Sequence, residues 1–113
     1  MSSPVINSIY DLLSASLTTS ATTADQILHS ISATTYRSVK YLVQITSSTS
    51  YHVVEIVLIH DGTTVIISEY GRVMTGSSLS TFDADINGGN LRLKVTPTNA
   101  ATVYKAAATA IRS

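Results

Sequence analysis

The side chains that could do chemistry in this 113-residue chain are few, and their spacing is informative. Asp83-Ala84-Asp85-Ile86-Asn87-Gly88 reproduces the opening half of a calcium-binding loop, with the glycine of the sharp turn in place. Such a loop needs a bidentate acid six residues after that glycine. Lys94, a cation, stands there, and the flanks read as strands, so an ordinary strand–turn–strand is expected. His52 and His60 lie eight apart on one strand, which puts them on one face but roughly 20 Å or more apart. They cannot share a metal within one subunit; copies of one of them, or of His29, could meet only on a symmetry axis. There is no cysteine, hence no thiolate ligand or disulfide. Serines abound, but none stands in G-x-S-x-G or beside a plausible oriented base. Glu55 and Glu69 could oppose each other across a hairpin as the paired carboxylates of glycoside hydrolysis, but that chemistry needs them at a set separation in a cleft. No enzyme activity, cofactor or resident metal is expected.

Tyr36, Tyr41, Tyr51 and Tyr70 cluster around the central strands. They read as half-buried sheet packing with the hydroxyl at the rim, or as a sugar-stacking or subunit-contact patch. On the second reading the recognition surface comprises Tyr36, Tyr51 and Tyr70 with Asp83, Asp85, Asn87 and Asn90 from the 83–90 loop.

The elements that must position these groups centre on residues 51–71, where two β-branched and aromatic runs flank Asp61-Gly62. That pair predicts a two-residue hairpin turn, with positive φ at both positions. Val53 to Ile59 is apolar at every position but Glu55, which predicts a strand covered on both faces. Before it, Tyr36–Thr46 alternates, with Arg37, Val39, Tyr41, Val43 and Ile45 on one side. Leu42 is the lone apolar residue on the wetter side. Ser47-Ser48-Thr49-Ser50 turns that strand into its neighbour. Residues 26–31 and 79–86 read as strands, and Asn87-Gly88-Gly89-Asn90 as a hairpin turn leading to Leu91, Leu93 and Val95. Residues 101–111 suit helix by alanine propensity. Strand spacing of about ten residues favours a strand with Tyr104, Ala106, Ala108 and Ala110 on one face. The sum is an all-β, antiparallel β-sandwich of seven or eight strands, jelly-roll or immunoglobulin-like.

The first 24 residues fit this pattern least well. Val5, Ile6, Ile9, Leu12 and Leu13, with Tyr10 among them, follow a helical period, which suits a short amphipathic helix, or else an arm, that must dock on its own domain or on a neighbouring subunit. Residues 16–23 read as a polar strand or extended arm. Residues 1–24 are therefore assigned as an attachment arm, with those six apolar residues as its contact set, and residues 25–113 as the sandwich domain.

The charge balance is zero, with only 12% of residues charged. That argues against a nucleic-acid partner, which needs a basic stripe. Low charge also leaves copies weakly repelled and favours association. No apolar run approaches the roughly 20 residues of a membrane span, and Met1-Ser2-Ser3-Pro4 lacks the basic region of a secretory signal.

Tyr36-Arg37-Ser38-Val39-Lys40-Tyr41-Leu42-Val43-Gln44-Ile45-Thr46 and Glu55-Ile56-Val57-Leu58-Ile59-His60-Asp61-Gly62-Thr63-Thr64, with similarity continuing to Val95-Thr96-Pro97, resemble a β-rich module of tailed-phage virion proteins. That module is commonest in T4-like phages of marine cyanobacteria, and the resemblance covers roughly residues 34–112. It implies a virion location and a structural subunit: a head decoration protein or a tail or neck accessory. Such a subunit would form a homo-oligomer, a trimer being the first expectation, and touch other virion proteins. In that family the module often ends longer tail, neck or fibre proteins, so the alternative it implies is a fibre-tip domain recognising host-surface carbohydrate. It supplies no catalytic residues.

Overall fold

The computed structural model describes residues 9–113, which form eight antiparallel strands in two sheets. They are β1 (Tyr10–Thr18), β2 (Gln26–Ser32), β3 (Tyr36–Ser47), β4 (Ser50–His60), β5 (Val65–Met74), β6 (Ser80–Asn87), β7 (Asn90–Pro97) and β8 (Val103–Arg112). A five-stranded sheet, ordered β1-β8-β3-β4-β5, packs on a three-stranded sheet, β2-β7-β6. The expected all-β sandwich is what the chain forms. Its wiring follows the immunoglobulin-like order: β2, β7 and β6 take the places of strands B, E and D, and β8, β3, β4 and β5 those of F, C, C′ and C″. The position beside F, held by the last strand in that order, is held here by the first strand, β1.

Each inward face supplies alternate residues to one core. Val39, Tyr41, Val43 and Ile45 of β3 meet Val54, Ile56 and Leu58 of β4, Leu91, Leu93 and Val95 of β7, and Tyr104, Ala108 and Ala110 of β8. The alternation read from the sequence holds in β7, in β8 and in β3 from Val39 to Ile45; Arg37, expected on the same side, is exposed beside a register shift between Tyr36 and Ser38. In β2 a bulge between Ile27 and His29 turns both Leu28 and His29 toward the interior, where the His29 ring meets Tyr41 edge-on with Nδ1 2.8 Å from the hydroxyl.

Three expectations are corrected. Tyr10–Leu13 is strand, not helix. Nine residues of β1 pair with β8, and an isolated helix of that length is marginal in water, so the open β8 edge wins. Val5 and Ile6 lie outside the described residues. Strand β4 is not covered on both faces, because the second sheet packs on one side only. Its outward residues stay open, Ile59 at 49%. Finally, Asp61-Gly62 is not a two-residue turn. His60 pairs with Val65, leaving a four-residue loop in which Asp61 Oδ1 accepts the Thr63 and Thr64 amides at 3.0 and 2.8 Å. That cap lets Asp61 avoid the positive φ a type I′ turn would demand, and Gly62 alone takes one, at 102°. The Gly88-Gly89 turn between β6 and β7 does have two positive φ values, 60° and 81°.

A second bulge shifts the β4–β5 register between Val53 and Glu55, with Gly71 at φ +63°. A Cβ there would stand 3.1 Å from Glu55 Oε2. Gly71→Ala is expected to cost about 1 kcal/mol in urea unfolding. An unchanged midpoint would show that the bulge does not depend on the left-handed glycine.

Candidate functional site

The outward face of the five-stranded sheet is the wider of the two outer sheet faces. The strand registers arrange it in rows: Tyr10–Ile111–Ser38–Ile59–Ile66, Leu12–Thr109–Lys40–Val57–Ser68, Ser14–Ala107–Leu42–Glu55–Tyr70, and Ser16–Lys105–Gln44–Val53–Val73. Only Lys40, Glu55 and Lys105 in these rows are charged. Lys40 Nζ is 3.1 Å from Glu55 Oε1 and 5.9 Å from the centre of the Tyr70 ring, so one cation is already satisfied. Lys105 has no ion-pair partner among the described residues. Leu42, Ile66 and Val73 are 51%, 63% and 65% exposed, where a solvent-facing strand ordinarily carries polar side chains. On the β1–β8 side the residues are small, and Ser14, Ser16 and Ala107 floor a shallow depression of about 620 Å³ bounded by Leu42 and Val53.

The outer face of the small sheet has the opposite character. Arg92 donates through Nε and Nη2 to the two Asp85 oxygens at 2.7 and 2.6 Å, and Lys94 Nζ stands 3.2 Å from Oδ2. Bonding to Arg92 first, then Lys94, holds the Asp85 carboxyl at about 2. With its oxygens so occupied, Asp85 is placed as a strand ion-pair partner rather than a calcium ligand. No cluster of three metal-ligating side chains occurs among the described residues. Glu55 pairs with Tyr70 on the outward face, whereas Glu69 pairs with Ile56 and so points to the other side of β5. The acid pair conceivable from the hairpin is not formed.

A third cluster closes one end of the sandwich. Asp11 is buried on the inward side of β1, and its Oδ2 accepts the Tyr36 hydroxyl and Arg112 Nη2, the latter at 2.8 Å. The Arg112 guanidinium also lies 5.7 Å from the Tyr36 ring centre. Accepting that bond, Asp11 raises the Tyr36 hydroxyl pKa. Asp11 Oδ1 and Arg112 Nε are buried without hydrogen-bond partners. Sequence reading missed this cluster because its members lie at the two ends of the chain.

The structure thus separates the residues grouped from sequence. Tyr51 and Tyr70 share the outward face of the large sheet; Asp83 and Asp85 lie on the small sheet, with Asn87 and Asn90 at its hairpin end, and the Tyr36 hydroxyl is engaged by Asp11. Of the contact set assigned to the first 24 residues, Ile9 and Leu12 are exposed, while Leu13 packs against the core.

All three histidines turn inward. His60 Nε2 is 2.7 Å from the Tyr36 carbonyl, and Nδ1 accepts the Gly62 amide at 3.0 Å. His52 Nδ1 accepts the Leu79 amide at 3.2 Å, leaving Nε2 buried and unpartnered. His52 and His60 are buried, away from any surface where symmetry could bring copies together. Burial lowers the pKa of His29, and burial followed by the Arg72 charge lowers that of His52, both from 6.5. Above 6.5 both rings are neutral folded or unfolded, and their contribution is complete. As pH falls below 6.5 the unfolded chain takes up protons first, so stability declines until the folded rings protonate too. The urea midpoint should therefore be lower at about pH 5 than at about pH 7.5, with the double variant His29→Gln, His52→Gln flattening the difference. A midpoint that rises toward pH 5 contradicts the buried neutral rings.

No protein family matches the sequence, and no curated protein is similar to it. Among solved structures, a segment of the Acinetobacter baumannii phage AM24 tailspike protein superposes with a TM-score of 0.57 at 10% identity. The two share a fold. The match covers 92% of this chain and 26% of the tailspike, so the chain spans about a quarter of that protein. The Acinetobacter phage vB_ApiP_P1 tailspike protein aligns over 88% of this chain and 21% of its own, at 19% identity and a TM-score of 0.45.

Proposed function

We propose that this chain is a non-enzymatic structural subunit of a phage particle that associates with copies of itself and with other virion proteins. A tail or neck accessory position, or decoration of the head, suits it. The observation that carries this reading is the sandwich shared with a segment of a phage tailspike over nearly the whole of this chain. The weakly charged, apolar outward sheet supports it, since such a surface is suited to being covered. The acids support it too: Asp11, Glu55 and Asp85 are held in ion pairs, and Glu55 and Glu69 lie on opposite faces of the large sheet. The narrower likeness to modules of marine cyanophages belongs to this proposal and rests on sequence resemblance alone.

Attachment through the first residues is part of the reading. Removing residues 1–24 would also strip β1 from the sheet, so the informative truncation removes residues 1–8. Lost particle incorporation with an unchanged melting curve supports an attachment segment; unchanged incorporation removes it.

The second reading is a domain recognising host-surface carbohydrate, favoured by one observation. The β6–β7 hairpin presents Asn87 and Asn90 beside the charged Asp85–Arg92 face, a polar surface of the kind that binds hydroxyls. Mass spectrometry of purified particles tests the first reading, which requires the protein as an integral component. Selective binding of the isolated chain on a glycan array, abolished by Asn87→Ala with Asn90→Ala, would favour the second.

A further inference from the structure

We infer that the outward face of the five-stranded sheet packs against the same face of a second copy, around a two-fold axis running along β3. This deepens the self-association in the proposed function by naming its surface and symmetry. Three features of the face point to a copy of itself. The first is relief. Tyr70 and Val73 stand exposed on the β5 side, while a hollow opens over Ser14, Ser16 and Ala107 and runs across to Val53. A two-fold axis in the interface plane and parallel to the strands lays β5 of one copy over β1 of the other. By the strand registers, Tyr70 then meets Ser14, Val73 meets Ser16, and Ile59 meets Ile111, with Lys40, Leu42 and Gln44 each against its own copy on the axis, where each Lys40 keeps Glu55 as its counter-charge. An axis across the strands would set ridge on ridge instead.

The second feature is charge. Under the same operation Glu55 comes over Ala107, and Lys105 lies two residues further along β8, about 7 Å away. The cation left without an intrachain partner thereby gains one from the second copy, twice over by symmetry. The third is size. Five strands about 4.8 Å apart and rows spanning about 30 Å give a face of roughly 700 Å², close to the ~800 Å² per partner of a stable interface. Aligned sheet packing at about −30° is the ordinary way two such faces meet.

The test is the mass of the full chain in solution by sedimentation equilibrium. The expected result is a species of twice 12.0 kDa. Ala107→Glu, which fills the hollow with a charge, should weaken the dimer at least tenfold. Lys105→Glu, which sets like charges together, should weaken it at low salt and less at high salt. Melting curves of both variants at dilutions where the wild type is monomeric should match the wild type, since both side chains point outward. A wild-type monomer at about 100 μM, well above the micromolar affinities of ordinary interfaces, overturns the inference. So does a trimer, or a dimer that Ala107→Glu leaves intact. Those outcomes do not touch the virion reading, and a dimer absent from purified particles would overturn that reading alone.

Discussion

Tyr104→Ala should be among the most damaging single changes in the chain, costing about 3–5 kcal/mol in chemical denaturation. Tyr104 is fully buried on the inward face of β8, and its hydroxyl donates to Ser80 Oγ of the opposite sheet at 2.7 Å. Truncation removes a large ring from the core and leaves a cavity that sheets held by their own ladders cannot close. Against a total stability of about 5–15 kcal/mol for a domain, the variant is expected to be largely unfolded at 37 °C. Tyr104→Phe keeps the ring and loses only the inter-sheet bond, so about 1 kcal/mol is expected. If the two variants cost the same, the hydroxyl rather than the packing holds the layers together.

Asp11→Ala follows at about 3 kcal/mol, the low end of the range for breaking a buried ion pair, because Arg112 keeps 34% of its side chain exposed. The substitution strands two donors, the Tyr36 hydroxyl and Arg112 Nη2, at an end of the sandwich where Arg112 Nε already lacks a partner. Replacing both charges by Asp11→Leu with Arg112→Leu should cost less than either single change to alanine, since no charge is then left buried alone. The check is a double-mutant cycle in urea built from Asp11→Leu, Arg112→Leu and their double variant. Additive losses would mean that Asp11 and Arg112 are not coupled.

How much of this was legible in the sequence depends on whether the pattern was local. The alternation of β3, β7 and β8 reads directly, because one covered face and one open face impose a period of two. Spacing, against alanine propensity, favours strand over helix for 101–111, and β8 at Val103–Arg112 agrees. Residues 10–13 went the other way. Val5, Ile6, Ile9, Leu12 and Leu13 fit a helical period, but the partner that makes Tyr10–Thr18 a strand is β8, more than 80 residues away. No local pattern could announce it. The same distance hid the Asp11–Arg112 pair. Strand β4 misled differently: its apolar run signals cover on both faces, and the single chain supplies only one. That unanswered half of the signal, at Val53, Val57 and Ile59, is the surface the proposed association would cover. The recognition group failed as a group because residues close in sequence, Asp83 to Asn90, belong to one sheet while Tyr51 and Tyr70 belong to the other.

The central claim is that the large sheet's outward face is a contact surface of a particle-bound protein, and hydroxyl-radical footprinting tests it most directly. Labelling of the free chain at dilutions where it is monomeric is compared with labelling of the same chain in purified particles. The account predicts that Tyr51, Tyr70 and Leu42 lose reactivity in the particle while Ile27, on the outer side of the small sheet, keeps it. Equal labelling of both sheets in the two states, or absence of the chain from the particles, would contradict it.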